Sequence, residues 1–328
     1  MNRILAFLAR NQLLLSLIGL VLALLFPLVF PSQYSIRMAT LCGMYIMLAL
    51  SLNLITGYSG QVSLGHAAFF GIGAYTAAIL ATRFGLNFLF TFIAAAIVAG
   101  LAAFLLGLPT LKLKGHYLAM VTLGFCEIVR LVEMNWMGLT RGPLGILNIP
   151  PPSLWGFTID APIEYYYFIV VLVVLTIKIV QNIIDSRVGK GLVAISEDEI
   201  AAEAMGVNIL RYKVMVFVIS AALAGFAGAF YAQYMSYIDP TSFGTDQSIS
   251  IFIMIIFGGL ASIPGTIIGV IVLTLLPEFL RGLMDFRLII YGLILIAMML
   301  VKPEGLLGNI NFTRIKKATE GKKAGELK

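Results

Sequence analysis

The chain has 328 residues, of which 60% are hydrophobic and only 12% charged, and its mean hydropathy is +0.99. Soluble domains are roughly half apolar and about a quarter charged, so this composition predicts an all-α polytopic membrane protein without a separate soluble domain. The net charge of +6 calls for no nucleic acid partner, because the cytoplasmic loops of membrane proteins collect lysine and arginine.

Ten apolar segments predict membrane-spanning helices. They lie near residues 13–30, 38–56, 62–82, 88–109, 117–134, 164–182, 214–235, 248–260, 264–277 and 288–301. The first resembles the core of a signal peptide, but no small-residue cleavage site follows it, so we expect a retained first helix. The eighth and ninth are short and form either two spans or one broken, re-entrant unit. The sequence therefore predicts a bundle of about ten transmembrane helices.

The distribution of basic residues predicts the orientation of this bundle. With ten spans, the segments on one side carry sixteen lysines and arginines, and those on the other side carry five. Cytoplasmic segments are the richer ones, so both termini are expected in the cytoplasm. The loop 135–163 is then external and the loop 185–213 cytoplasmic. We expect residues 1–303 to form a single transmembrane domain and residues 304–328 a basic cytoplasmic tail.

A polar, glycine-rich segment, 57–66, separates the second and third spans. Its candidate functional side chains are Ser63 and His66, which would line a cytoplasmic gate of a translocation path. The alternative is a turn that simply needs glycine. His66 stands alone, without the partners of a metal centre, so no metal site is expected.

The fifth span carries a second polar feature, Glu127 with Arg130 three residues later. This spacing places both side chains on one helix face, where they can form an ion pair. An unpaired arginine at the middle of a bilayer costs at least about 2.5–3.5 kcal/mol, so pairing is expected. The pair is either part of the lining of a transport route or structural glue between helices.

Small residues recur at intervals of four in the third and seventh spans. The sets are Ala67/Gly71, Gly73/Ala77 and Ala221/Gly225/Ala229. Such spacing allows two helix backbones to approach closely, so these spans are predicted to pack tightly in the bundle. The pattern says nothing about a substrate.

The loop 185–213 is a charged island in this apolar chain and holds nine of its Lys, Arg, Asp and Glu residues. Ser196 and Glu199 have the spacing of a capping box, and Glu197 and Asp198 favour the positive end of a helix dipole. Gly206 suits the position just after a helix. Together they predict a helix over 197–205, about 14 Å long.

One face of this helix is apolar but made of small side chains. It consists of Ile200, Ala201, Ala204 and Met205. A helix lying on the membrane surface is one interpretation. The acids of the segment would be repelled by an anionic leaflet, however, and the alanines would bury little area in lipid. A protein partner is therefore favoured.

Several catalytic signatures are missing from the sequence. The segment Gly189-Lys190-Gly191 lacks the upstream glycine and the hydroxyl of an ATP-binding Walker A motif. No zinc-protease motif or nucleophile elbow occurs either. The chain is expected not to be an enzyme, with no catalytic residue, metal or cofactor of its own.

Several segments resemble, in the same order, the LivM-type permease subunits of bacterial branched-chain amino acid ABC importers. They are residues 52–60, 63–69, 127–131, 194–206, Gly258-Gly259, 262–265 and 302–306. Each segment is weak evidence alone, but together they cover most of the chain. The resemblance implies a multi-pass protein of the bacterial inner membrane that imports leucine, isoleucine and valine by alternating access.

The resemblance also implies partners. These are a LivH-like second permease, two ABC ATPase subunits that bind the ATP, and a periplasmic substrate-binding protein. Permeases of this kind dock onto the ATPase through a cytoplasmic EAA-type loop, whose pattern places its alanines at Ala201 and Ala202 and its glycine at Gly206. Ile200 stands where the leading glutamate belongs, and Arg141 replaces a glycine in the external loop. The implied coupling residues are Ser196, Glu197, Glu199, Ala201, Ala202, Glu203 and Gly206.

Two other functions fit the architecture. One is a related importer for urea, small amides, sugars or another amino acid, since one sequence does not reveal a substrate pocket. The other is an ion-coupled secondary transporter, which places titratable groups on broken helices at the membrane midplane. Only Glu127 and Arg130 meet that requirement in the sequence, and they can neutralise each other.

Overall fold

A computed structural model describes residues 12–113, 115–154 and 157–279, and also residues 292, 293, 296, 300, 305 and 306. The predicted tenth span, 288–301, lies mostly outside the described residues, as does the tail 304–328. The elements of the fold all lie within the described residues.

Helices account for most of the described chain. The α-helices are α1 (Gln12–Val29), α2 (Gln33–Ser59), α3 (His66–Phe84), α4 (Phe88–Thr110), α5 (His116–Asn135), α6 (Met137–Thr140), α7 (Pro162–Asp185), α8 (Arg187–Glu197), α9 (Glu199–Ala204), α10 (Ile209–Met235), α11 (Thr245–Gly258) and α12 (Ile263–Phe279). Two 3-10 helices cover Gly142–Leu144 and Pro240–Phe243, and four short strands are β1 (Ile146–Leu147), β2 (Ser153–Leu154), β3 (Phe157–Thr158) and β4 (Tyr237–Ile238).

Five of these helices are long and apolar enough to cross a membrane: α2, α3, α4, α7 and α10. They coincide with five of the predicted spans. Helix α5 has the length of a span as well, but it carries three acidic or basic residues, at 127, 130 and 133. The chain is therefore a helical, multi-span membrane protein, whereas the count of ten spans and the side of the termini stay predictions.

Helix α10 is the centre of the bundle and packs against α2, α3 and α4. Its contact with α3 is made by glycines: a Cβ atom on Gly73 would lie 2.2 Å from the carbonyl oxygen of Gly225, and one on Gly228 2.2 Å from that of Phe70. The two backbones touch directly, which confirms the close packing predicted from the small-residue ladders. Gly71, by contrast, faces Glu133 of α5.

Helices α11 and α12 form a hairpin against α2. They meet antiparallel, since Gly258 contacts Gly265 and Gly269 contacts the backbone of Met254. At 14 and 17 residues they are about 21 and 25 Å long, shorter than the roughly 30 Å core of a bilayer. The eighth and ninth predicted spans are thus two separate short helices joined by the turn 259–262.

Asn53, on α2, holds this hairpin. Its Nδ2 donates to the hydroxyl of Thr266 (2.8 Å), and its Oδ1 accepts a hydrogen bond from the backbone N–H of Ala261 (3.0 Å). Ala261 adopts a positive φ of 56°, so the turn needs this support. The buried amide of Asn53 thus joins α2 to the hairpin of α11 and α12.

Replacing Asn53 with alanine is expected to lower the free energy of unfolding by about 2–3 kcal/mol, because the partly buried Ala261 N–H loses its acceptor and the buried Thr266 hydroxyl loses its donor. The measurement is thermal unfolding of the purified protein in detergent. Asn135→Ala is the matched control: Asn135 is exposed and donates only to the carbonyl of Leu131. A destabilisation of equal size in both variants would show that the hairpin does not depend on Asn53.

The loops on the opposite side of the bundle from the hairpin turn are tied by two short antiparallel ladders. Strand β1 pairs with β4, with Ile146 opposite Ile238 and Leu147 opposite Tyr237. Strand β2 pairs with β3 within the loop 135–163. The first ladder joins the loop before α7 to the segment after α10, so the two halves of the chain are held together here.

Candidate coupling and translocation site

The charged island forms two helices. Helix α8 (Arg187–Glu197) begins at Ser186, whose hydroxyl accepts hydrogen bonds from the N–H groups of Val188 and Gly189. Helix α9 (Glu199–Ala204) begins at Asp198, whose carboxylate accepts from Ile200 (2.8 Å) and Ala201 (3.1 Å). Both are ordinary N-caps.

The predicted helix 197–205 with Ser196 as its cap is therefore wrong in detail. Ser196 lies inside α8, where its hydroxyl donates to the carbonyl of Val193, and the helix after Asp198 has six residues. A residue with helical backbone angles cannot cap the next helix, so the role passes to Asp198, which has extended angles. Helix α8 was missed because Gly189 and Gly191 lower helix propensity.

The predicted end of the coupling helix is confirmed. Gly206 has a φ of +82°, and the N–H of Val207 donates to the carbonyl of Ala202 (3.1 Å), which is the Schellman pattern. Glycine enters this left-handed conformation without strain. The polypeptide thus turns sharply from α9 towards α10.

Helix α9 turns its apolar face outward. Ile200 is 77% exposed and Met205 is 85% exposed, and Ala201 and Ala204 beside them are exposed as well. Ala202 points the other way and is buried. Large apolar side chains on a short polar segment outside the long spans are unusual unless another surface covers them.

The two acids of α9 have different surroundings. Glu199 forms an ion pair with the buried Lys213 of α10, which ties α9 to the bundle. Glu203 is exposed. Both line a groove of about 310 Å³ between the end of α4, α9 and the start of α10. Glu197 is exposed at the end of α8.

Helix α8 joins this surface to the membrane bundle. Its Leu192 and Ile195 are buried, and the helix packs on α2. Ser196 touches the loop after α2: a Cβ atom on Gly60 would lie 3.3 Å from the Cβ of Ser196. The end of α8 therefore lies next to the start of the 60–65 segment.

The 60–65 segment returns into the bundle without forming a helix. Helix α2 ends at Ser59, yet α3 begins beside Ser51, eight residues or about 12 Å back along α2. The third span therefore starts at His66 and not at 62 as predicted. Non-helical backbone inside a membrane bundle occurs where it is buried in protein or lines a cavity, and interrupted helices mark substrate regions in transporters.

Polar side chains hold this segment in place. His66 is fully buried, with its Nε2 2.6 Å from the hydroxyl of Ser51. Because that hydroxyl donates to the carbonyl of Leu48, His66 is the donor in this contact. The N–H of Leu64 donates to Thr122 of α5, and that of Ala67 donates to Ser248 of α11. Helices α2, α5 and α11 thus meet at the start of α3.

Some polar atoms at this junction have no partner. Among the described residues, no hydrogen bond reaches the hydroxyl of Ser63, Nδ1 of His66 or Oε1 of Gln61. Buried polar atoms normally find partners, so this junction is polar beyond what a simple turn requires. Both interpretations of 57–66, gate and turn, stay predictions.

The predicted pair of Glu127 and Arg130 is present in α5. Nε of Arg130 donates to both carboxylate oxygens, at 3.1 and 3.0 Å, and a guanidinium NH2 group donates to Oε1. Both side chains are partly exposed, and their ion pair stays within α5. The Arg130 side chain also lies near Gly244 at the start of α11, and both interpretations, route lining and glue, stay predictions.

Sequence reasoning missed Glu133, one turn further along α5. It is only 4% exposed, and it lies against Gly71 of α3 and Phe243 of the second 3-10 helix. In the sequence it stands one residue before the end of the predicted span, where an acid normally reaches water. Only the packing of the 236–244 loop over it reveals its burial.

The chain is similar to known transport proteins. The family described as "Branched-chain amino acid transport system / permease component" matches residues 34–301. The chain is 36% identical over 311 residues to the "High-affinity branched-chain amino acid transport system permease protein LivM" of Escherichia coli (strain K12), covering 88% of this chain and 73% of that protein.

More distant relatives include both kinds of permease. The LivH protein of Salmonella typhimurium, a high-affinity branched-chain amino acid transport system permease, is 26% identical over 294 residues, or 82% of this chain and 92% of that one. A probable LivM protein of Methanocaldococcus jannaschii is 24% identical over 318 residues, or 81% and 90%. No solved structure matches the chain.

Proposed function

Because this chain belongs to the family of permease components of branched-chain amino acid transport systems, we propose that it is one of two membrane-spanning subunits of an ATP-driven importer. It imports leucine, isoleucine and valine across the bacterial inner membrane. The second subunit is a LivH-like permease, and a periplasmic binding protein delivers the substrate from the external side. ATP binds to two separate ABC ATPase subunits, and this chain has no catalytic role.

The observation that carries the proposal is the outward apolar face of α9. Ile200 and Met205 project from a polar segment, and the groove beside them contains both acids and lysines. An ATPase surface that receives the two side chains buries them and gains roughly 1.5–3 kcal/mol for each. Glu199 is held by Lys213, so the exposed Glu203 is the acid of α9 that contacts the ATPase.

The path of coupling runs from α9 through α8 to the 60–65 segment. When the ATPases close, α9 moves with them, and the contact of Ser196 with Gly60 passes the motion to the start of α3. Ser63 and His66 then change their environment at the point where α2, α5 and α11 meet. The partly exposed face of α5 with Glu127 and Arg130 faces the second permease, and the route lies between the two subunits.

The test is ATP-dependent uptake in proteoliposomes. The chain is reconstituted with its partner subunits, ATP is enclosed, and leucine-loaded binding protein is added outside. We expect uptake with ATP, none with ADP, and no effect of ionophores that collapse ion gradients. Uptake that needs an ion gradient and not ATP would replace the proposal with a secondary transporter. Uptake of urea or small amides in place of leucine would change the substrate.

A further inference from the structure

Glu133 is the most isolated acid in the described part of the chain. It lies in the last turn of α5, is 4% exposed, and neither carboxyl oxygen has a hydrogen-bond partner among the described residues. Burying a carboxyl group without hydrogen-bond donors costs free energy, and apolar packing around the group does not compensate for that cost. The nearest candidate for pairing on its own helix, Arg130, is already bonded to Glu127.

The surrounding elements pack closely around this carboxyl group. A Cβ atom on Gly71 would lie 2.8 Å from Oε1 of Glu133 and 3.0 Å from the Cβ and Cγ of Phe243. Glu133 and Phe243 therefore both pack against α3 at Gly71, which has no side chain. The backbone carbonyl of Glu133 is fixed as well, because the hydroxyl of Thr140 donates to it at 2.6 Å.

A second unpartnered polar group lies next to Glu133. Tyr75, one turn after Gly71 on α3, is buried, its hydroxyl has no partner among the described residues, and it interacts electrostatically with Glu133 and Asp239. Two adjacent acceptors are thus left open in the same region. They suit a ligand that brings several N–H donors.

Aromatic rings complete the surroundings. The ring centroid of Phe243 lies 5.2 Å from that of Phe70, 5.8 Å from that of Tyr75 and 5.9 Å from that of Tyr231. The faces of such rings attract a cation that lies within about 6 Å of the ring centroid, particularly where water is excluded. A carboxyl group beside an aromatic cluster is the chemistry that recognises an organic ammonium ion.

We propose that Glu133, Tyr75 and Phe243 form a transient binding position for the ammonium group of the amino acid during transport. This inference rests on the proposed function, and it names the part of the substrate that this region recognises. Glu133 and the Tyr75 hydroxyl accept hydrogen bonds from the ammonium group, while Phe243 and its neighbouring rings stabilise the positive charge. A metal ion fits poorly, since the described residues contain no group of three or more His, Cys, Asp or Glu side chains that could hold one.

The 3-10 helix Pro240–Phe243 covers this position from α3 to α5. Asp239 caps the 3-10 helix Pro240–Phe243, and its carboxylate accepts hydrogen bonds from the N–H groups of Thr241 (2.8 Å) and Ser242 (3.2 Å). This short helix carries Phe243 and separates Glu133 from the paired strands β1 and β4. Displacement of the 236–244 loop would expose Glu133 to a substrate, and it would separate Phe243 from Phe70 and Tyr75 of α3 and from Tyr231 of α10.

The test compares Glu133→Gln with the wild type in the reconstituted, ATP-driven complex. We expect leucine uptake to fall at least 10-fold, because a neutral amide loses the charged hydrogen bond to the ammonium group. Tyr75→Phe keeps the shape of the ring and is expected to raise the half-saturating leucine concentration about 3–10-fold. Asp160→Asn, an exposed acid of the external loop, is the control and keeps wild-type uptake.

A binding measurement separates recognition from a structural role. Radiolabelled leucine is bound to the complex in detergent without the binding protein, and 3-methylbutylamine or 4-methylpentanoate is added as competitor. We expect the amine to compete in the wild type, and to compete at least 10-fold less well in Glu133→Gln. Competition by the amine that is equal in both proteins overturns the inference, as does unchanged uptake by Glu133→Gln. Absence of ATP-dependent uptake in the wild type would instead contradict the proposed function.

Discussion

Replacing Gly73 with alanine is expected to destabilise the bundle by about 3 kcal/mol or more. A Cβ atom at this position would lie 2.2 Å from the carbonyl oxygen and 2.3 Å from the Cα of Gly225. These are backbone atoms of α10, so the overlap is relieved only when α3 and α10 move apart, and that motion loosens the centre of the fold. The measurement is the thermal unfolding midpoint in detergent, together with the yield of assembled complex.

Gly124→Ala is the matched control. Gly124 is also a helical glycine, on α5, but a Cβ atom there meets nothing within 4 Å. Alanine is a better helix former than glycine by about 1 kcal/mol, so this variant is expected to be as stable as the wild type or slightly more stable. If Gly73→Ala were as stable as Gly124→Ala, the close contact of α3 with α10 would be wrong.

The double substitution Ile200→Asp and Met205→Asp is expected to weaken binding of the ATPase subunit at least 100-fold. Burying each side chain at the interface contributes roughly 1.5–3 kcal/mol, and every 1.4 kcal/mol corresponds to a factor of ten. Both side chains are largely exposed in the chain alone, so its stability is expected to stay within about 0.5 kcal/mol of the wild type. Leucine uptake is expected to fall with the ATPase affinity.

The binding is measured as the affinity of the purified ATPase for the two permeases in detergent. The control is Leu144→Asp, which places the same change at a residue that is 73% exposed in the loop 135–163, away from α9 in the sequence. It is expected to leave the ATPase affinity unchanged. An affinity of the double variant within threefold of the wild type would show that α9 is not the docking surface.

Several features of the structure could be predicted from short stretches of the sequence. The long apolar runs predicted α2, α3, α4, α7 and α10, since about 20 apolar residues are needed to cross a bilayer and little else produces them. The pair of Glu127 and Arg130 and the end of α9 at Gly206 were also readable. Each depends only on residues within one or two helical turns.

Other features depended on residues far apart in the sequence. The cap of α9 is Asp198 and not Ser196, because α8 continues through Ser196 despite its two glycines. One of them, Gly191, lies so close to the ring of Tyr212 that a side chain there would overlap with it. The pairing of Glu199 with Lys213 joins two separate helices. The return of the 60–65 segment into the bundle depends on Thr122 and Ser248, which belong to α5 and α11.

The sequence by itself determined that this protein is a helical membrane permease. The reason is that the hydropathy, the distribution of basic residues and the family segments depend only on the order of residues in the chain. The sequence also predicted that the loop 185–213 binds a partner. Only the tertiary structure decided which side chains stay available there, with Ile200, Met205 and Glu203 exposed and Glu199 held in an ion pair. The burial of Glu133 was decided in the same way, because burial is set by neighbours such as Gly71 and Phe243, which lie far away in the sequence.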